Sequence, residues 1–176
     1  MSLRVDDFKA KLTGGGARGN LFKCTITNPN VAAGIPIELT SFMCKGAALP
    51  ASVITPIEVP FRGRQLKVAG DRTFDNWTAT IFNEESFAIR TAFEVWMNSI
   101  NAHASNTSAN SNPSDYQAQI IVEQLNRQDE VIKSYLIEGA FPVNVSEIEL
   151  AYDNNDTIEE FQVEFAYQYW QSNSTT

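Results

Sequence analysis

Between Thr157 and Trp170 the chain reads TIEEFQVEFAYQYW, in which Phe161, Val163, Phe165, Tyr167 and Tyr169 alternate with Glu160, Gln162, Glu164 and Gln168. A period of two places the first set on one face of a β-strand and the second on the other. Such a strand needs a sheet that is dry on one side and wet on the other. Similar signals recur along the chain. LFKCTITN alternates, IELTSFMCKGAAL is a second β-rich run after the turn residues of NPNVAAGIP, and TFDNWTATIF sets Trp77, Ala79 and Ile81 against Asn76, Thr78 and Thr80. YQAQIIVEQLN and VIKSYLIEGAFP read as a hairpin closed near Arg127 to Glu130, and SEIELAY alternates Ile148 and Leu150 with Glu147 and Glu149.

The block PASVITPIEVPFRGRQLKVAG carries prolines at 50, 56 and 60. Proline cannot donate to a ladder, so the first arm is predicted to be an edge or projecting strand. Arg62-Gly63 supplies a turn, and RQLKVAG returns as the second arm of a long hairpin.

One long helix is expected over about 86–100, because Ile89, Phe93, Trp96, Met97 and Ile100 recur at helical period. Asn83 is read as its N-cap, with Glu84 and Glu85 in the first turn. A short N-terminal helix is predicted from Val5, Phe8 and Leu12, with Ser2 as cap, followed by the Gly-rich linker TGGGARGN. The stretch NAHASNTSANSNPSD is polar and aperiodic, hence a surface loop, and holds His103. Strands without βαβ alternation imply a mainly β fold, an antiparallel β-sandwich or barrel with one packed α-helix and a short N-terminal helix. A chain of 176 residues suits one domain over 1–176, with the N-terminal helix and linker at 1–19 and a flexible tail at 171–176.

Charge excludes several functions. All 13 basic residues lie at or before Lys133, whereas eight of the 21 acidic residues follow it, so the net −8 is a C-terminal excess. A protein that binds nucleic acid by neutralising phosphate needs the opposite sign on its working face. No nucleophile, base and orienting group assemble around His103, so no enzyme and no cofactor is expected. Cys24 and Cys44, the only cysteines, are too few for a zinc cage and read as buried free thiols. No apolar run nears the roughly 20 residues of a membrane span, and the N-terminus lacks the apolar core of a signal peptide, so a cytosolic origin is expected.

FRGRQLKVAGDRTFDNWTATIFNEE, then FEVWMNSIN, GAFPVNVSEIEL and DNNDTIEEFQVEFAYQYW, taken in this order and spacing, resemble the tail tube proteins of contractile-tailed (myovirus-type) bacteriophages. The resemblance runs from about Asn20 to Trp170 and departs at TGGGARG, NPNVAAGIPIE and QSNSTT. It implies a structural virion protein, made in the host cytoplasm, that forms hexameric rings stacked as the inner tube of the tail. The implied partners are copies of itself, the sheath protein, and the baseplate or tube-initiator and tail-terminator proteins, with DNA passing through the lumen without specific binding. A tube-initiator or baseplate protein, or the inner tube of a phage-derived injection machine, fits the same resemblance. Arg62, Gly63, Arg64, Lys67, Asp71 and Arg72 are the implied inter-subunit and inter-ring contacts, a local +3 cluster on the hairpin. A DNA-contact patch or an internal Asp71–Arg72 turn network are the other readings of that cluster. Glu147, Glu149, Glu160 and Glu164 are candidates to face the lumen, where like charge repels phosphate.

Overall fold

The computed structural model describes residues 4–12, 15–27, 29, 34–108 and 112–175. In chain order the elements are α1 (Val5–Lys11), β1 (Phe22–Ile26), α2 (Ile37–Met43), β2 (Cys44–Ala47), β3 (Val53–Phe61), β4 (Arg64–Thr73), β5 (Trp77–Phe82), α3 (Ala88–Ile100), α4 (Pro113–Tyr116), β6 (Ala118–Leu125), β7 (Val131–Val145), β8 (Glu160–Ala166) and β9 (Tyr169–Ser172). The fold is mainly β, and every strand pairing among the described residues is antiparallel. The main sheet runs β1-β6-β7-β8-β5-β2, with β9 added against β7, while β3 and β4 form a ribbon of their own.

The 15-residue β7 organises the body. Its first part pairs with β6 and, over Tyr135 to Glu138, with β9; from Phe141 onward it pairs with β8. The sheet therefore folds over on itself along one continuous strand, and α3 lies on the enclosed face. Ile89, Phe93 and Trp96 of α3 are buried against Trp77, Ala79 and Ile81 of β5 and Phe161, Val163 and Phe165 of β8. The Phe165 ring lies 6.0 Å from Phe93 and 6.1 Å from Trp96, aromatic contacts that add directional packing to area burial. The helical stripe and the strand alternation thus meet in one core.

Several sequence expectations are corrected. Residues 37–43, read as strand, form α2, because Pro36 opens a helix whose Leu39 and Met43, one turn apart, pack on the core beside the buried Thr40. The long helix starts at Ala88, and Asn83 is not its cap. Asn83 instead ties the end of β5 to Glu159, through its backbone N–H to the carbonyl and its Nδ2 to Oε2, both at 2.8 Å. Glu84 does the capping, its Oε1 accepting the Ile89 N–H at 2.9 Å. The segment 146–150 forms no strand beyond β7, and its Leu150 is exposed. The terminal strand is two strands, broken at Tyr167 and Gln168, where the Gln168 N–H donates to Glu138 O and the chain moves from one part of β7 to the other. Gln171 and Ser172, expected in a flexible tail, complete β9 opposite Leu136 and Tyr135.

At the N-terminus, α1 is present, while the Ser2 cap lies outside the described residues. Its apolar stripe, Val5, Phe8 and Leu12, is exposed.

Candidate functional site: the projecting ribbon and the acidic sheet face

The β3–β4 hairpin is closed by Arg62 and Gly63, at φ 45° and 82°. Two consecutive left-handed residues make the two-residue turn whose twist matches that of the strands, and glycine carries the second position without steric cost. The register that follows sets Phe61 opposite Arg64, Val59 opposite Leu66, Glu58 opposite Lys67 and Ile57 opposite Val68. Because side chains alternate, Ile57, Val59, Phe61, Leu66 and Val68 share one face, and Glu58, Pro60, Gln65 and Lys67 share the other. Neither face is covered: Ile57 is 55% exposed, Phe61 66% and Leu66 61%.

The turn register also explains the prolines. With Phe61 and Arg64 as the hydrogen-bonded pair next to a two-residue turn, residues 57, 59 and 61 direct N–H groups inward and residues 56, 58 and 60 direct them out of the ribbon. Pro56 and Pro60 therefore remove no internal bond.

The neck of the ribbon is fastened by aromatic donors from the body. Trp77 Nε1 donates to Ala48 O at 2.6 Å, Trp170 Nε1 to Ala51 O at 3.0 Å, and the Tyr167 hydroxyl to the same carbonyl at 3.4 Å. Burial, and secondarily the Asp75 carboxylate, push the Tyr167 hydroxyl above its ordinary pKa and keep it a donor. The returning leg is held where Phe74 packs on Tyr167, ring centroids 5.8 Å apart. A ribbon without a core of its own is thereby held in one direction relative to the body.

The residues read as one basic cluster are not brought together. Arg62, Gly63 and Arg64 form the tip, with the Arg62 guanidinium 5.4 Å from the centre of the Phe61 ring. Lys67 lies on the polar face at 3.7 Å from Glu58, a partner the sequence reading omitted. Asp71 and Arg72 sit at the base, roughly 25 Å from the tip at ~3.3 Å per strand residue. As neighbours in a strand these two point to opposite faces, and no ion pair joins them among the described residues, which removes the basis for an internal turn network.

The four acidic candidates divide into two pairs. Glu160 and Glu164 project from the face of β8 turned away from α3, opposite Phe82 and Thr78 of β5. Glu160 forms an ion pair with Lys45, and Glu164 accepts from Asn76 Nδ2 at 2.8 Å. Glu147 and Glu149 are exposed in the irregular segment after β7, which also exposes Leu150, Tyr152 and Ile158. The sequence reading missed the apolar ribbon face and the neck donors. The first could have been found by laying 57, 59 and 61 against 66 and 68 in hairpin register; the second depends on strands distant in the chain.

A family model described as phage tail tube protein matches residues 17–173. The chain is 38% identical to the tail tube protein gp19 of Enterobacteria phage T4, covering 95% of this chain and 99% of that one. It is 30% identical to the tail tube protein of Serratia phage KSP90, over 93% of each chain. Among solved structures, a chain of the sheath-tube complex of an extracellular contractile injection system superposes with a TM-score of 0.57 at 14% identity, covering 98% of this chain and 99% of that one. A chain of the anti-feeding prophage baseplate superposes at 0.63 and 12% identity, covering 89% and 94%. At those identities the structures speak for the fold alone, whereas the sequence relatives are structural tail proteins and not enzymes. The chain belongs to the phage tail tube protein family, a structural component of the contractile tail.

Proposed function

We propose that this protein assembles with copies of itself into hexameric rings that stack as the inner tail tube, inside the sheath, and that DNA leaves through the lumen during ejection. The observation that carries this reading is the apolar ribbon face. Ile57, Val59, Phe61, Leu66 and Val68 form a contiguous exposed strip on an arm held away from the body. Exposed apolar strips of that kind mark surfaces that are covered in an assembly. The sheath protein, a baseplate or tube-initiator protein and a tail-terminator protein are the further partners in this reading. Production in the host cytoplasm belongs to it as well. The tube itself is favoured over an initiator or an injection-system tube because the tail tube proteins match nearly end to end in sequence, whereas the injection-system and baseplate chains match in fold only.

Arg64→Glu and Arg72→Glu test the ribbon as a bridge between subunits and rings. Each is expected to leave circular dichroism unchanged and to abolish tubes in negative-stain micrographs, because reversed charge at the contact replaces attraction with repulsion. Normal tubes from both variants would remove the bridging role.

Glu160, Glu164, Glu147 and Glu149 are proposed to repel DNA from the wall of the channel, so that it slides without sticking. Phage carrying Glu160→Lys with Glu164→Lys, or Glu147→Lys with Glu149→Lys, should form tails yet eject their genomes slowly. Ejection should quicken as added salt screens the new attraction. Wild-type ejection rates for both pairs would show that these carboxylates face the sheath or solvent.

A further inference from the structure

The longest strand, β7, has a basic cleft at one end and an acidic turn at the other. The cleft, of about 510 Å³, opens where the N-terminal linker meets the β6–β7 turn; Arg18 and Arg127 are its charged lining residues, and Leu21, Leu125 and Ile132 its apolar ones. Both arginines stand on fixed backbone. Gln124 Nε2 donates to the carbonyls of Arg18 and Leu21, each at 2.6 Å, and Asn126 Oδ1 accepts the Gln128 and Glu130 N–H groups at 2.8 and 2.9 Å, which holds the turn that presents Arg127. A Cβ at Gly15 would lie 3.2 Å from Arg127 Nη2, so the guanidinium rests over bare glycine backbone. Among the described residues neither guanidinium has an ion-pair partner, although Asp129 and Glu130 share the turn; the Glu130 carboxylate accepts the Asn126 amide instead, at 2.8 Å.

Beyond the other end of β7, no basic residue follows Lys133 in the sequence, and the Asn154 N–H donates to the Ala151 carbonyl at 3.2 Å to close a turn with Tyr152 and Asp153 at its centre and Asp156 just after it. Tyr152 is wholly exposed, as are Asp153 and Asp156, and no ion pair among the described residues includes either carboxylate. We propose that the Tyr152–Asp156 turn of one copy docks in the Arg18–Arg127 cleft of the next, the two carboxylates meeting the two guanidinium groups and the Tyr152 ring covering Leu21, Leu125 and Ile132. This contact rests on the assembly proposed above and is additional to that of the ribbon.

Chemistry and placement both select a second copy as the occupant. A planar guanidinium fork matches a carboxylate, and apolar residues beside it suit an aromatic ring next to an acid, which is what Tyr152-Asp153 offers. Within one chain the two surfaces stand apart, at opposite ends of the 15-residue β7, a span of up to about 45 Å at ~3.3 Å per strand residue. A contact between two different surfaces is heterologous: each copy that receives a turn offers its own to the next. Such contacts close into a ring or run on as a stack, and do not end at a dimer.

The test follows assembly of the purified full chain by sedimentation across a concentration series, beside two double variants, Arg18→Glu with Arg127→Glu and Asp153→Arg with Asp156→Arg. All four positions are exposed, so circular dichroism and melting temperature should match the parent. The concentration needed for assembly should rise about tenfold or more in each, since like charges then meet. An equimolar mixture of the two should assemble near the parental concentration, because each variant's cleft matches the other's turn, and so should the quadruple variant, in which both sides are exchanged. Should a double variant fail to fold, Arg127→Glu and Asp153→Arg alone carry the same comparison. Parental assembly by both variants, loss in only one of them, or loss in both with no rescue by the mixture or the quadruple variant would each overturn this contact and leave the ribbon's role standing. A parent that forms no assemblies at any concentration would remove the assembly reading itself, and this contact with it.

Discussion

Replacing Trp96 with alanine is expected to cost about 3–5 kcal/mol of stability, the range for emptying a large aromatic site in a packed core. Trp96 is 0% exposed and sits where α3 meets β8, its ring against Phe93 and Phe165. Its indole N–H also donates to Tyr116 O at 2.8 Å, so truncation leaves that carbonyl without its donor as well as opening a void. At about 2–4 °C per kcal/mol for a chain of this size, the thermal midpoint should fall by roughly 6–20 °C. Trp96→Phe keeps a ring and loses the donor, and a fall of intermediate size is expected. Urea or thermal unfolding followed by circular dichroism reads both, and an unchanged midpoint for the alanine variant would mean that α3 does not hold the body together.

Gly70→Val should give the opposite profile, a body as stable as the parent and a severe loss of tubes. Gly70 lies at the register shift between Ile54 and Pro56, where a Cβ would come within 2.4 Å of Thr55 O and 3.0 Å of Ile57 Cγ1. The first of these is backbone and cannot swing aside, so the ribbon must twist or part at its base. Overpacking of this kind costs about 1–3 kcal/mol, and each 1.4 kcal/mol is tenfold in an equilibrium. The concentration needed for tube growth is therefore expected to rise about tenfold or more. The body should melt as before, since no residue of β3 or β4 is buried. Gly63→Asn is the control, because asparagine accepts the left-handed turn position. Sedimentation across a concentration series measures the effect, and tube growth at the parental concentration would show that the ribbon's geometry does not govern assembly.

These two residues mark what could and could not be read from the sequence. The stripe containing Trp96 was legible because about three helical turns repeat one period, and the alternation around Phe161, Val163 and Phe165 because a strand buried on one face has no other solution. Residues 37–43 were not, since Ile37, Thr40 and Phe42 favour strand locally and only packing against β1 selects the helix. Ile148 and Leu150 alternate as a strand would, but the β7–β8 ladder stops at Val145 and Val163, before either residue is reached. The break between β8 and β9 was hidden for a related reason: it depends on where β7 changes neighbours. Proline spacing and Arg62-Gly63 revealed the ribbon. The basic residues on it suggested one patch only while their alternating faces and the length of the strands were left out. The apolar strip emerges from the register of two arms and from nothing local to either.

The prolines of β3 have a consequence for how many neighbours the ribbon can take. A two-stranded ribbon ordinarily has a valence of two, since each outer edge offers donors and acceptors to a further strand, and repeated addition at both edges is how sheets grow without limit. Here the β3 edge lacks its outward N–H at Pro56 and Pro60 and keeps only that of Glu58 between them, whereas Gln65, Lys67 and Ala69 leave the β4 edge intact. The valence drops to one. A strand can pair along the β4 edge without meeting a proline, whereas the β3 edge is broken, so the arm with the exposed apolar face is a poor template for sheet growth on both sides.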